Sequence, residues 1–280
     1  MYSVMAPDTD DNADYLTTSN RRRPDTRVLL LDVAQQVWDA YAKYITAQGR
    51  PSEMVPLGLP ANVRSALISN FDLVRSDQGL ESIRDALMSR TRSGECPMCG
   101  SAQAGTLDHY LPKSIFPEFS ILGKNLVPAC SYCNNTKSDR LPTGPSSRFF
   151  HPYFDQLPPA RVLFANIDVE DTVTVDYQIR RSPDVDAQLV DVLEFHFVEL
   201  GLAKIYRANA NGELFNRYEA LTEYLGPGQD VDAVKRYLDR EARSCRAYRG
   251  LNDWKTALLS TLAQHTEFCA GGFFRLRSST

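Results

Sequence analysis

Between residues 96 and 137 the chain reads CPMCGSAQAGTLDHYLPKSIFPEFSILGKNLVPACSYCNNTK, and this stretch decides what the rest of the molecule must support. It holds two Cys-x-x-Cys knuckles, Cys96-Pro-Met-Cys99 and Cys130-Ser-Tyr-Cys133, with 30 residues between them. Each knuckle turns tightly enough for both thiolates to face one ion. Two together complete the four-sulfur tetrahedron that zinc takes in structural sites. The opening residues, MYSVMAPDTDDNADYLTTSNRRRPD, have no apolar core of a secretion signal, so a cytoplasmic location with reduced thiols is expected. In that setting paired cysteines read as metal ligands rather than disulfides. Cys245 and Cys269 stand alone among apolar and helix-forming residues, as inert buried thiols do.

Outward from this centre, the composition is that of a globular protein. The chain has 280 residues, 43% hydrophobic and 24% charged, enough for one large domain or two small ones. No run approaches the ~20 apolar residues of a membrane-spanning helix. A net charge of −4 places any nucleic-acid contact on a local basic surface and excludes a binder driven by a long basic tail. Residues 1–25, acidic and then basic at Arg21, Arg22 and Arg23, read as a flexible solvated tail. In the helical region 26–93, apolar periodicity predicts helices at 27–48, 60–72 and 78–91. Alternation over 161–180, with Glu170-Asp171 at the turn, predicts a β-hairpin. The rest of 156–280 reads as helices at 184–208, 213–225, 230–249 and 252–268, broken at Asn211-Gly212 and Gly226-Pro227-Gly228.

The order of elements in the central stretch (Cys-x-x-Cys, Asp108-His109, Asn125, then Cys-x-x-Cys-Asn-x-x-Lys) resembles the HNH endonuclease family. Members fold a β-hairpin and a helix around one catalytic divalent metal, many with a four-cysteine zinc beside it. The resemblance covers residues 94–155. It implies an α+β fold: a mostly helical body carrying a zinc-stabilised ββα-metal module, followed by the β-hairpin. It also implies a metal-dependent endonuclease cutting phosphodiester bonds, in DNA before RNA. Members include bacterial antiviral effectors, so a regulatory protein partner such as an ATPase is a further expectation. A non-catalytic zinc module that binds nucleic acid or protein is the alternative; it needs the cysteines but neither Asp108 nor His109.

Hydrolysis of a phosphodiester needs a base beside the attacking water and a cation near the phosphate. Asp108, a hard oxygen donor, suits Mg²⁺ or Mn²⁺, while His109 titrates in the range that lets it take a proton at neutral pH. Consecutive strand residues face opposite ways, so dividing the two roles is simpler than sharing one ion. By the family pattern, Asn125 braces the hairpin loop and orients the histidine. Asn134 stands where many members carry a metal-binding histidine, and its amide oxygen leans the preference toward Mg²⁺ or Mn²⁺. Lys137, on the same helical face, reads either as a phosphate contact or as a solvated lysine. His151, within the aromatic run 149–154, reads either as a group closing on the nucleic acid or as part of a packed seam. Arg236, Arg240 and Arg243 follow i, i+4, i+7 spacing and form a candidate stripe along a phosphate backbone.

Overall fold

A computed structural model describes residues 1–74 and 81–279. The chain divides into two compact units, residues 2–156 and, with Met1, residues 157–280. In the first unit come helices α1 (Asp11–Asn20), α2 (Pro24–Asp32), α3 (Ala34–Thr46), α4 (Ala61–Val74) and α5 (Glu81–Met88), then strands β1 (Thr106–His109) and β2 (Leu126–Ala129), and helix α6 (Ser131–Lys137). The second holds strands β3 (Leu163–Val169) and β4 (Val173–Ile179), then helices α7 (Ala187–Glu199), α8 (Leu202–Leu225), α9 (Val231–Arg249), α10 (Trp254–Gln264) and the short α11 (Thr266–Cys269). This is the expected α+β architecture, largely helical with two antiparallel hairpins. No helix among the described residues is long and apolar enough to cross a membrane.

The first 25 residues are not a solvated tail. The Asp10 carboxylate caps α1 by accepting from the Ala13 N–H at 3.0 Å, so an acid that suggests solvation in the sequence works as a helix start. Tyr15 is fully buried, donates its hydroxyl to the Leu30 carbonyl at 2.8 Å and packs edge-on against Tyr41. Ahead of it, Tyr2 and Val4 alternate along an extended segment whose N–H groups bond the carbonyls of Pro97 and Pro152. Tyr15→Ala is expected to cost about 3–5 kcal/mol, the range for truncating a buried aromatic. Urea unfolding measures it, and a loss below about 0.5 kcal/mol, the surface-substitution range, would contradict this packing.

The helix expected at 27–48 is two helices meeting at Val33 (φ −104°, ψ 3°). Its apolar residues do not form one stripe: α2 buries Leu30 while Val28 and Leu31 remain exposed, and α3 turns Val37, Tyr41 and Tyr44 inward. The helix expected at 78–91 is seen from Glu81; residues 78–80 lie outside the described residues.

In the second unit, β3 and β4 pair from Leu163↔Ile179 to Val169↔Val173. Leu163, Ala165, Val173, Val175 and Tyr177 face inward at the two-residue spacing. The hairpin packs on α8 and α10, where buried Tyr206 meets Tyr177 edge-on and stacks on Trp254. The first helical break falls at Gly201 rather than Asn211-Gly212. Gly201 has φ 60°, a left-handed conformation that glycine adopts without strain. Gly212 continues α8 between buried Ala210 and Leu214, whose burial outweighs the ~1 kcal/mol helix cost of glycine.

Candidate active site

The four paired cysteines are brought together from two tight turns. Gly100, with φ 63°, lets the chain reverse after Cys99, its N–H bonding the Cys96 carbonyl at 2.7 Å. At the other knuckle, Cys130 caps α6, and the Cys133 N–H donates to the Cys130 sulfur at 3.4 Å. All four sulfurs lie within 4.8 Å of one another, and all four residues are buried. A tetrahedron with Zn–S bonds of ~2.3 Å has edges of roughly 3.8 Å, so the donor set fits that ion.

Between the knuckles, β1 and β2 pair with Asp108 opposite Val127 and His109 opposite Leu126. Helix α6 packs on β1. Asp108, His109, Asn134, Lys113 and Asp139 line one cleft of about 330 Å³, with Phe71 of α4 on its wall. His109 is the last residue of β1, and it shares the cleft with its neighbour despite strand alternation.

The His109 Nε2 lies 2.9 Å from the Ser120 carbonyl oxygen. A carbonyl only accepts, so Nε2 carries the proton and Nδ1 is left as the acceptor of the neutral ring. Phe71 meets the imidazole edge-on, with ring centres 4.4 Å apart. Burial, reinforced by the charges of Lys113 and Lys137 and opposed by the Ser120 bond, brings the His109 pKa down to about 3. Asp108 is pushed up to about 6 by burial, with Lys137 pulling the other way. The Lys137 ammonium lies 3.0 Å from Asp108 Oδ2 but donates its hydrogen bond to the His109 carbonyl at 2.7 Å. Oδ2 itself accepts no aligned hydrogen bond. Asn134 donates Nδ2 to the Thr106 hydroxyl at 3.1 Å, and no described residue donates to its amide oxygen.

Several expected positions differ. Lys137 is buried, not presented to a phosphate; its α6 face turns onto β1, where its charge answers Asp108. Asn125 is also buried and does not line the cleft. Its Oδ1 accepts from the Leu111 N–H at 2.8 Å, and its Nδ2 donates to the Leu111 and Phe119 carbonyls. It thus ties both ends of the loop that delivers Ser120. His151 is packed, not aimed at a ligand: Nδ1 accepts from the Tyr153 N–H at 3.2 Å, and Nε2 faces the Tyr44 hydroxyl at 3.1 Å. Tyr44 in turn donates to Asn125 Oδ1 at 3.1 Å. Arg236 and Arg243 are exposed beside Asp230 and Asp239, while Arg240 bonds the Tyr224 hydroxyl.

Sequence reading missed Ser120, Phe71 and Asp139. Ser120 acts through its main chain and leaves no side-chain signal. Phe71 arrives from a helix 38 positions before His109.

Residues 96–140 match the family described as HNH endonuclease. The centre of this chain is similar to those enzymes. Over 67 residues, 23% of this chain, it is 42% identical to Protein ea31 of Escherichia phage lambda, and the match spans 23% of that relative's length. No solved structure matches the chain. The HNH segment thus lies inside the first compact unit, whose helices α1 to α5 fall outside the family match.

The buried His151 ring gives a pH prediction. Burial, partly offset by the Asp155 carboxylate, lowers its pKa to about 3, while the unfolded imidazole titrates near 6.5. The unfolded chain therefore binds the extra proton throughout that window. This group's effect on stability is absent above about pH 6.5 and grows unfavourable as pH falls toward 3, by up to about 1.4 kcal/mol per unit. His151→Gln is expected to remove one proton from the acid dependence. Urea midpoints between about pH 4 and 6 measure it; a slope equal to wild type would refute it.

Proposed function

We propose that the HNH segment is a divalent-metal-dependent endonuclease that hydrolyses phosphodiester bonds in DNA. The observation that carries this reading is the cleft where neutral His109, fixed through Nε2, sits beside the Asp108 carboxylate, ion-paired through Oδ2 with Lys137, and the free amide oxygen of Asn134. His109 Nδ1 accepts the proton of the attacking water. Burial keeps the ring neutral at pH 7 but also weakens it as a base. The negative charge of a phosphate in the cleft would raise its pKa toward the working pH, where a general base acts best. Asp108 and Asn134 would hold Mg²⁺ or Mn²⁺, two oxygen donors of the kind such ions take. When bound, the ion stabilises negative charge on the phosphate and leaving oxygen. Asn125 acts at one remove, by holding the loop that presents the Ser120 carbonyl. The four cysteines hold a structural Zn²⁺.

The setting we propose is a cytoplasmic antiphage effector under a regulatory protein partner such as an ATPase. The burial of Asp108 and His109 supports external control, because a phosphate must reach groups that are almost closed to solvent. The non-catalytic alternative draws on Lys137, whose ammonium already compensates Asp108. Incubation with plasmid, linear duplex and single-stranded DNA, with Mg²⁺ or Mn²⁺ added, decides between them. Metal-dependent cleavage by wild type supports the nuclease; its absence on every substrate favours the binding module.

A further inference from the structure

We infer that the second compact unit carries its own binding groove for the phosphate backbone of nucleic acid, lying between α9 and α10 and centred on Arg161, Lys235 and Arg246. This inference rests on the reading of the chain as a nucleic-acid enzyme, and it shifts the contact around α9 from the arginine stripe visible in the sequence, keeping Arg236 and Arg243 in the lining and leaving Arg240 outside it.

The groove has a volume of about 420 Å³ and is lined by five cations against the one carboxylate of Asp239. On a helix turning ~100° per residue, Lys235, Asp239, Ala242 and Arg246 fall within roughly 60° of arc, whereas Arg240 lies about 140° from Lys235. Arg240 accordingly points away and bonds Tyr224. Small side chains, Ala242 of α9 with Ser260 and Ala263 of α10, share the lining with the cations. Arg161, two residues before β3, also lines it.

The charges are not explained by ion pairing. Arg236 leans toward Asp230 at 3.6 Å and Arg243 pairs with Asp239 at 3.2 Å. Arg161, Lys235 and Arg246 have no carboxylate partner among the described residues. Arg161 is held below its ordinary pKa by partial burial first and by the charge of Arg246 second. The fold therefore crowds like charges into a concave surface, on a chain whose net charge is −4. Such a concentration of one sign raises the local potential and selects a partner with repeated negative charge. A phosphodiester backbone supplies it, and the release of its condensed counterions makes the contact measurable.

The test is fluorescence anisotropy with the full chain, a labelled duplex and its single strand, over a series of NaCl concentrations without added Mg²⁺ or Mn²⁺. In the triple variant Arg161→Gln/Lys235→Gln/Arg246→Gln, affinity is expected to fall. The log–log salt slope should flatten by up to ~0.9 per lost contact on duplex and ~0.7 on single strand. Arg240→Gln should keep the wild-type slope, and Arg161→Lys/Arg246→Lys should restore it, which separates charge from folding. A wild-type slope in the triple variant on both substrates overturns the groove and leaves these cations to an acidic protein surface. If wild type cleaves DNA while that slope is unchanged, the groove fails and the nuclease stands. If the slope flattens but wild type never cleaves, the groove stands and the assignment of Asp108 and His109 fails.

Discussion

Cys130→Ser is expected to leave the purified chain without zinc and to unfold the module built around residues 96–140. The four sulfurs sit within 4.8 Å of one another, so a single ion would be shared by two turns with 30 residues of chain between them. Binding of a structural zinc is worth about 10–16 kcal/mol at neutral pH in small domains, against a total stability of about 5–15 kcal/mol for a whole domain. Removing one thiolate removes much of that, and cleavage should be lost with the fold. Metal analysis should find about one Zn²⁺ per wild-type chain and little in Cys130→Ser. Cys245→Ser and Cys269→Ser should keep full zinc. A folded, zinc-loaded Cys130→Ser protein would overturn the assignment.

His109→Ala should abolish most of the activity while sparing the zinc. Loss of a general base costs on the order of 10²–10⁴ in rate, and His109 is the imidazole in the cleft whose acceptor nitrogen is free. Asp108→Ala is the less clean experiment, because it strands the buried Lys137 ammonium. An uncompensated buried charge costs about 3–5 kcal/mol, so lost activity there mixes catalysis with folding. In His109→Ala the Lys137–Asp108 pair survives, since Lys137 donates to the main-chain carbonyl of residue 109 and not to its ring. Single-turnover cleavage, zinc content and melting temperature should be read on one preparation. Undiminished cleavage with zinc retained would show that another group takes the proton.

What could be read from sequence is what short-range chemistry dictates. The knuckles announce themselves by spacing, the β3–β4 hairpin by strict alternation, and α9 by a periodic face bounded by Asp230 and Gly250. The remainder depended on partners distant in the chain. Lys137 looks like a surface cation until β1 brings Asp108 against it. His151 reads equally as a ligand or as part of a packed seam until Tyr44, 107 positions earlier, takes its Nε2 and places it in the seam. Tyr2 and Val4 are only two apolar residues in an acidic stretch, and nothing local shows that Pro97 and Pro152 will receive their N–H groups. Gly201 and Gly212 are the same residue type, yet only the backbone angle distinguishes the one that ends a helix from the one that does not.

The carbonyl that holds His109 bears on how this site can change over generations. Any residue at position 120 offers the same main-chain oxygen, so substitution cannot delete the acceptor as it could a carboxylate or an amide. The neighbourhood limits size, because Ser120 is buried and its hydroxyl donates to the Pro117 carbonyl at 2.6 Å, yet alanine or glycine would keep the oxygen in place. A change of loop length would not. Inserting or deleting one residue between Leu111 and Asn125 would shift the oxygen by up to ~3.5 Å along the chain, beyond the reach of Nε2. A saturation library across residues 111–125 should therefore tolerate small side chains at position 120 and reject nearly every length variant, the reverse of the tolerance to insertion usual in surface loops.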